Sequence, residues 1–139
     1  MKDENCIFCK LANGIIPTNS IYEDEDFRVI LDASPASKGH ALILPKEHYA
    51  NVFEMDEELL GKTAKLAKRI VTREKDVLQC DGYNILQNNG EAAGQTVFHY
   101  HMHLIPRYQS NQDAKMIQWQ PNEFTEEEMK TICEMMKVE

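Results

Sequence analysis

Apolar residues recur at helical spacing through residues 56–79, and this stretch predicts one long helix. Acidic residues open it, where the helix dipole is positive. The predicted inner face is Leu59, Leu60, Thr63, Leu66, Ile70, Val71, Val77 and Leu78. The predicted outer face is Lys62, Lys65, Lys68, Arg69 and Arg73. We interpret this cationic face as a solvated helix surface rather than a nucleic-acid site.

Shorter apolar runs bounded by turn residues predict five strands. An acidic turn separates the first two strands, and Asn88-Asn89-Gly90 is a strong turn signal after the fourth. The predicted strands cover residues 21–23, 27–31, 40–45, 82–87 and 96–106. Hairpin-like strands with two appended helices indicate an α+β fold: an antiparallel sheet with one long central helix and a C-terminal helix.

Helical patterns also occur at both ends of the chain. Near the N-terminus, a short segment with rough helical spacing ends before Pro17. Near the C-terminus, Thr125 and Glu128 form a capping-box pattern. We expect that helix to turn an apolar stripe inward, formed by Met129, Ile132, Cys133 and Met136.

The composition is that of one globular domain. The chain has 139 residues and a formal net charge of −8, which argues against a protein that coats nucleic acid. It has no apolar run near the ~18 residues of a membrane span and no signal-peptide core. We therefore expect a soluble, cytoplasmic protein that binds neither membranes nor nucleic acid.

The acidic residues are concentrated at the two ends of the chain. Residues 1–32 carry seven acids and three bases, and residues 121–139 carry six acids and two bases, so each end nets −4. Residues 33–120 therefore net zero, and all five histidines lie in that stretch. An anionic substrate can approach the middle of such a protein despite its overall charge.

Three of the five histidines alternate with apolar residues on the last predicted strand. His99, His101 and His103 should project from one face, roughly 6.5–7 Å apart. Tyr100, Met102 and Leu104 should project from the other face and pack in the core. Histidine serves as metal ligand, general acid or base, or nucleophile, and a solvated strand face does not need three of them.

Cys6 and Cys9 form a C-x-x-C pair, whereas Cys80 and Cys133 are isolated and should be small buried residues. No βαβ pattern accompanies the pair, which favours a metal site over a redox pair. Two thiolates need two further ligands to complete a tetrahedral zinc site. The candidates are His40, His48 and one of the three alternating histidines.

The segment before these histidines, residues 88–97, is small, polar and glycine-containing, which suits either a hairpin loop or a phosphate-binding loop. The sequence contains no G-x-x-x-x-G-K-[ST] loop and no G-x-G-x-x-G after a strand. No pair of acids near the histidines offers a Mg²⁺ site. Chemistry at phosphorus would therefore depend on a histidine nucleophile.

The sequence resembles the histidine triad (HIT) superfamily, in particular its bacterial Hint-like branch, whose zinc site contains a Cys-x-x-Cys pair. Residues 99–105 fill the H-φ-H-φ-H-φ-φ signature, and the resemblance covers about residues 5–108, with 109–139 as a C-terminal extension of the single domain 1–139. The other matching segments are Cys6-Ile-Phe-Cys9, Ile16-Pro17, Asp32-x-Ser-Pro35, Gly39-His40-x-Leu-Ile-Leu-Pro-Lys-x-His48, Gly94-Gln-Thr-Val97 and Pro106-Arg107.

The resemblance implies a HIT-like fold, a homodimer, and binding of purine nucleotides as AMP or GMP units. It implies that His101 attacks the α-phosphorus, that His103 contacts the phosphate and that His40 supports the site. It further implies a structural zinc ion held by Cys6, Cys9, His48 and His99.

The same resemblance assigns residues to each part of the nucleotide. Asp32 would bind the ribose hydroxyls. Phosphate contacts would come from Asn88, Gly94, Gln95 and Thr96. An apolar purine slot, for which ordinary core is an equally good interpretation, would consist of Ile7, Phe8, Ile16 and Ile30.

Asn88 and the Cys pair favour a purine nucleoside phosphoramidase, a hydrolase that forms a nucleotidyl–histidine intermediate. Gly94-Gln-Thr-Val97 and Pro106-Arg107 also occur in the dinucleoside polyphosphate hydrolase branch, which is the alternative enzyme. A nucleotide-binding scaffold with incidental catalysis and a purely structural zinc module are the non-enzymatic alternatives.

Overall fold

The computed structural model describes residues 2–110, 117 and 119–138, and it confirms the α+β architecture. Besides a 3₁₀ turn at Glu91–Ala93, the elements follow the predicted order. They are α1 (Ile7–Ala12), β1 (Ser20–Glu23), β2 (Phe27–Leu31), β3 (Ala41–Pro45), α2 (Glu57–Leu78), β4 (Gly82–Leu86), β5 (Met102–Arg107) and α3 (Glu126–Met136). Within the described residues, no helix has the length and apolar character needed to cross a membrane.

The five strands form one antiparallel sheet in the order β1-β2-β3-β5-β4. Residues paired directly across neighbouring strands lie on the same face of a sheet. One such row carries Ile30, Leu42, His103 and Leu86. The register therefore places the last histidine of the triad on the same face as two core residues of β2 and β3.

Helix α2 covers the opposite face of the sheet. Asp56 caps its start by accepting a hydrogen bond from the backbone N–H of Leu59, and Gln79 ends it in the left-handed conformation, as the predicted bounds require. Thr63, Leu66 and Ala67 are buried against the sheet. The five predicted outer-face cations are all exposed.

Val77 was expected on the inner face of α2, and that prediction is wrong, since its side chain is 64% exposed. Consecutive helical residues are about 100° apart around the axis, so Val77 points away from the side on which Leu78 packs. Leu78 takes the inner position against Gly39, where a Cβ would lie 2.6 Å from Leu78 Cδ1. Gly39 also has φ +90°, a conformation that favours glycine, and it leads directly into His40.

Helix α1 covers part of the histidine face. Ala12 packs with Ile30, Leu42 and Leu44, and Phe8 and Leu11 pack against this group. The remainder of the face, over β5, is left to the histidines. The short helix thus forms one wall of the site.

Strand β5 begins at Met102, not at residue 96 as predicted. The backbone N–H of Tyr100 donates to the carbonyl of Tyr49 at 2.6 Å, and the Gln95 side chain donates to the carbonyl of Ala50. These bonds attach residues 95–100 to the loop after β3, so these residues do not pair with a neighbouring strand of the sheet. The expected burial still holds, because Tyr100 and Leu104 lie in the core and Met102 packs against it.

Helix α3 has the predicted capping box: Thr125 and Glu128 each receive a hydrogen bond from the other's backbone N–H. The expected inward stripe is wrong. No residue of α3 is buried, and Met129, Cys133 and Met136 are exposed. The sequence showed an amphipathic helix, but a single chain does not cover its apolar side. Cys80, by contrast, is buried as expected.

Candidate active site

The five histidines lie together as two groups of contacting rings, His48 with His99 and His101 with His103 and His40, so the structure brings together every predicted catalytic residue. Ring centroids are 5.2 Å apart for His48 and His99, 5.0 Å for His101 and His103, and 5.2 Å for His40 and His103. A hydrogen bond joins His99 to His101. The first group meets the two cysteines, and the second meets Asp32.

Backbone carbonyls determine which ring nitrogens carry hydrogen. His101 Nδ1 lies 2.7 Å from the carbonyl oxygen of His99, and His99 Nε2 lies 2.9 Å from that of Pro45. A carbonyl only accepts, so each of these nitrogens must donate. The neutral His101 ring therefore keeps its lone pair on Nε2, and the His99 ring keeps its lone pair on Nδ1.

The same logic fixes two further rings, those of His40 and His103. The backbone N–H of Ala36 donates to His40 Nδ1 at 2.9 Å, so the hydrogen of neutral His40 lies on Nε2. That nitrogen is 2.9 Å from His103 Nδ1, which must accept. His103 then carries its hydrogen on Nε2. The site thus presents a nucleophilic lone pair on His101 beside an N–H donor on His103.

Burial keeps these rings neutral at neutral pH. Burial lowers the pKa of His103 to about 4, helped by repulsion from His101 and His40. Burial also lowers the pKa of His101 and of His40, against the opposing attraction of the Asp32 carboxylate. A neutral imidazole is the nucleophilic form, so the electrostatics suit attack by His101 Nε2.

Asp32 lies beside the hydrogen-bonded pair His40 and His103. Its Oδ1 accepts from the backbone N–H of Ser34 at 2.8 Å, and its Oδ2 is 3.6 Å from His40 Nε2. Its side chain is 21% exposed, so the carboxylate keeps accessible lone pairs for hydroxyl groups. The placement is compatible with the predicted ribose contact.

The predicted phosphate residues divide into two kinds. Gln95 is buried, its Oε1 accepts from the Gly90 N–H, and its Nε2 donates to the carbonyls of Ala50 and Val97. The Gln95 side chain therefore shapes the loop, and its predicted contact to phosphate stays a prediction. Asn88 and Thr96 have no side-chain hydrogen bond to any described residue and stay available. Gly94 has φ +94°, which allows the tight turn between them.

The four predicted purine-slot residues also differ in position. Phe8 is half-buried, with its ring centroid 4.9 Å from that of His101. Ile16 is half-buried and Ile7 is 52% exposed. Ile30 is 3% exposed and packs with Leu42 beneath α1, so the structure makes it a core residue. The slot stays a prediction for the other three.

Cys6, Cys9, His48 and His99 form a cluster that fits a metal ion. One donor atom from each lies within 4.8 Å of all the others. Both sulfurs lie 3.4 Å from His99 Nδ1, and Cys9 Sγ lies 3.4 Å from His48 Nδ1. Tetrahedral zinc with bonds of about 2.3 Å to sulfur and about 2.0 Å to nitrogen separates such atoms by about 3.5 Å. The Pro45 carbonyl fixes the His99 tautomer needed for ligation.

Comparison with known proteins identifies the family. The HIT domain profile matches residues 13–110. The chain belongs to the HIT domain family. "Protein hit" of Bacillus subtilis is 50% identical over 105 residues, covering 76% of this chain and 72% of that protein. The adenosine 5′-monophosphoramidase of Schizosaccharomyces pombe is 37% identical over 131 residues, covering 94% of each.

Solved structures agree with this HIT assignment. A HIT family protein from Bacillus anthracis superposes with a TM-score of 0.85 at 41% identity, covering 95% of this chain and 94% of that one. A zinc-bound histidine triad family protein from Mycobacterium smegmatis has a TM-score of 0.74 at 39% identity, covering 78% of each chain. Both support the α+β fold, and the second supports metal binding by members of the family.

A second group in this HIT domain, Asp32, His40 and His103, brings its donor atoms equally close. It does not fit a metal ion. The Ala36 N–H occupies the lone pair of His40 Nδ1, so Nε2 holds the hydrogen and has no lone pair to give. A metal on His40 Nε2 would move the ring hydrogen to Nδ1, where it would face the backbone N–H of Ala36. We therefore assign this group to hydrogen bonding.

Sequence reasoning missed the backbone groups of this HIT site. The carbonyls of Pro45 and His99 and the N–H of Ala36 set three tautomers, and any residue type carries such groups. It also missed Asn89, whose Oδ1 accepts from the Val52 N–H at 2.7 Å. The turn motif contained Asn89, but nothing in the motif specified its partner.

Proposed function

We propose that the chain hydrolyses purine nucleoside 5′-phosphoramidates or related AMP conjugates through a nucleotidyl intermediate on His101. The observation that carries this proposal is the hydrogen bond of His101 Nδ1 to the His99 carbonyl. It leaves the Nε2 lone pair free to attack phosphorus. Covalent catalysis of this kind divides one difficult substitution into two easier ones.

In the first step, His101 Nε2 bonds to the α-phosphorus and the bond to the leaving amine breaks. Water supplies the proton that the amine takes as it leaves. The His103 Nε2–H donates to a phosphoryl oxygen, while His40 holds the opposite nitrogen of that ring. In the second step, water attacks phosphorus and the bond to His101 breaks, while the hydroxide left from the first step takes the proton of the attacking water. The nucleoside 5′-monophosphate then leaves.

The nucleoside lies between Asp32 and α1 in this proposal. Asp32 accepts hydrogen bonds from the ribose hydroxyls, and Asn88 and Thr96 donate to the phosphate. The base packs against Phe8 and Ile16. An apolar slot of this kind has no hydrogen-bond code, so it accepts adenine and guanine alike.

The cysteine cluster binds a structural zinc ion in the same proposal. Four protein ligands complete a tetrahedral site and leave no position for a reactive water. When bound, zinc would join α1 to the loop after β3 and to the start of the triad, since its ligands come from all three. Burial raises the pKa of the Cys9 thiol, which favours the thiol over the thiolate until a cation arrives.

We also propose that the active unit is a homodimer. The apolar side of α3 is uncovered in a single chain, which favours burial against a second copy. Sedimentation equilibrium at micromolar concentration tests this directly. A mass of one chain at all concentrations would contradict it.

Turnover of two substrates tests the choice of enzyme. Clearly higher kcat/KM for adenosine 5′-phosphoramidate than for diadenosine triphosphate is the expected result. The reverse order would assign the chain to dinucleoside polyphosphate hydrolysis. AMP binding without turnover of either would favour a scaffold module, and zinc binding without AMP affinity would favour a purely structural role.

A further inference from the structure

Gln87 and Asn89 bond to each other on either side of Asn88. Asn89 Nδ2 donates to Gln87 Oε1 at 2.6 Å, and Gln87 Nε2 donates to Asn89 Oδ1 at 2.8 Å. The two amides therefore lie on one side of the chain. Asn88 Nδ2 instead lies 3.8 Å from the position that a Cβ at Gly94 would occupy. The side chain predicted to contact phosphate thus lies beside the loop glycine and takes no part in the pair.

A backbone group sets the direction of every bond in this pair. The Val52 N–H lies 2.7 Å from Asn89 Oδ1, and a backbone N–H only donates, so the atom that faces it is an oxygen. Asn89 Nδ2 then faces Gln87 Oε1, which leaves Gln87 Nε2 to donate to Asn89 Oδ1 and, at 3.1 Å, to the Asn88 carbonyl. The Asn88 peptide is therefore held by a donor whose own orientation is set by the loop after β3.

The loop after β3 supports the polar segment of residues 88–97 at two places. The Ala50 carbonyl, two residues before the Val52 N–H, accepts from Gln95 Nε2 at 2.6 Å. Asn89 and Gln95 lie near opposite ends of the polar segment. One short stretch of backbone therefore fixes both ends of the segment that is proposed to receive the phosphate.

We propose that Asn89 is a positioning residue that, through Gln87, holds the Asn88 backbone so that the Asn88 amide donates to the phosphate. The inference rests on the proposed phosphate contact of Asn88. A backbone fixed before the nucleotide arrives lowers the entropy that binding must overcome. Both polar atoms of the Asn89 side chain bond to protein groups, so Asn89 acts through Asn88 and not on the substrate.

A double-mutant cycle on AMP affinity, measured by isothermal titration calorimetry, tests the inference. Asn88→Ala alone should weaken AMP binding about tenfold, and Asn89→Leu alone about three- to tenfold. In the Asn89→Leu background, Asn88→Ala should weaken binding by less than about a further twofold, because Asn88 is no longer held in place. Gln87→Leu removes the donor to the Asn88 carbonyl and should reproduce the loss seen in Asn89→Leu, so it replaces that variant if the latter does not fold.

Asn84→Leu is the matched control. Asn84 is a half-buried asparagine four residues before Asn88, and its Oδ1 accepts from Arg107 Nε at 2.7 Å. Asn84→Leu should lower the urea unfolding midpoint, as Asn89→Leu does, because each removes hydrogen bonds of a half-buried amide. It should leave AMP affinity within about twofold and leave the full effect of Asn88→Ala in place.

A measurement without nucleotide reports the position of Asn88 directly. Nitrogen-15 relaxation of the Asn88 backbone amide should show a rigid group in the wild type and in Asn84→Leu, and a mobile group in Asn89→Leu and Gln87→Leu. Wild-type protein that binds AMP but turns over no substrate would refute the proposed hydrolase, and the cycle would still decide the role of Asn89. Wild-type protein without AMP affinity would overturn the inference as well.

Three further results would overturn the inference. One is a pair of effects, from Asn88→Ala and Asn89→Leu, that simply multiply in the double variant. Another is unchanged AMP affinity in folded Asn89→Leu protein. The last is an equal loss of AMP affinity in Asn84→Leu, which would make the effect one of general stability.

Discussion

His40 donates a hydrogen bond to His103 through nitrogens 2.9 Å apart, and the Ala36 N–H fixes the direction of that bond. The direction matters because it places the hydrogen of His103 on Nε2. His40 need not touch the substrate to control what His103 offers to it.

Removing His40 should therefore disturb His103 rather than substrate affinity. His40→Ala leaves the His103 Nδ1 without its donor, and we expect kcat to fall about tenfold or more. His40→Gln should recover part of that loss, since its amide N–H can replace the lost donor. Steady-state kinetics of both variants measure this. Ser37→Ala, which removes a nearby buried bond to the Pro106 carbonyl, is the stability control. Full activity in His40→Ala would contradict the proposed role of the His40–His103 hydrogen bond.

The cysteine cluster predicts about one zinc per chain. Cys6→Ser should lose the metal and lower the unfolding midpoint by about 5–10 °C, because binding energy is lost from the folded state alone. In the folded fraction, kcat should stay within about threefold, since a metal with four protein ligands has no open position for a reactive water. Elemental analysis and calorimetry check both points, with Cys133→Ser as the exposed-cysteine control. Wild-type protein without metal and with freely titrating Cys6 and Cys9 thiols would refute the assignment.

Stability should fall as the solution is acidified. His103 has a folded-state pKa of about 4, below its ordinary value of 6.5, so below pH 6.5 the unfolded chain binds more protons. Its contribution is fully present above pH 6.5 and is lost progressively toward pH 4. Urea unfolding at several pH values measures the slope. His103→Gln should show a shallower slope than the wild type over this window, and equal slopes would contradict the buried neutral ring.

Two neighbouring loop residues should separate stability from binding. Gln95→Ala removes three hydrogen bonds inside the loop, and we expect a loss of about 1–3 kcal/mol in the free energy of unfolding. Thr96→Val keeps the shape of an exposed residue and should leave that free energy unchanged while weakening AMP binding. Urea unfolding and isothermal titration calorimetry test the pair. Equal stability of the two variants would contradict the assignment of Gln95 to loop stability and of Thr96 to phosphate binding.

The helix of residues 56–79 was predicted well because its signals are local. Asp56 and Gln79 end it through their own backbone and side-chain bonds, and the apolar period specifies the buried face. Strand β5 was predicted to start six residues early, because the bonds of Tyr100 and Gln95 to the distant 49–50 segment compete with the ladder. No local pattern encodes that competition.

The site shows the same distinction. Residue types and spacing were enough to select His40, His48 and the three alternating histidines, and the structure joins them all. Their tautomers depend on backbone groups that long-range folding delivers, such as the Pro45 carbonyl beside His99. The exposed stripe of α3 is a third case, since amphipathicity indicates a buried partner without saying where that partner lies.

Mapping a trapped intermediate tests the central claim most directly. The protein is mixed with a slowly hydrolysed purine nucleotide substrate, quenched at neutral pH, digested and analysed by fragmentation mass spectrometry. A nucleoside monophosphate adduct on His101, absent from His101→Ala, is the predicted result. An adduct on His103 or another residue, or turnover that survives in His101→Ala, would contradict it.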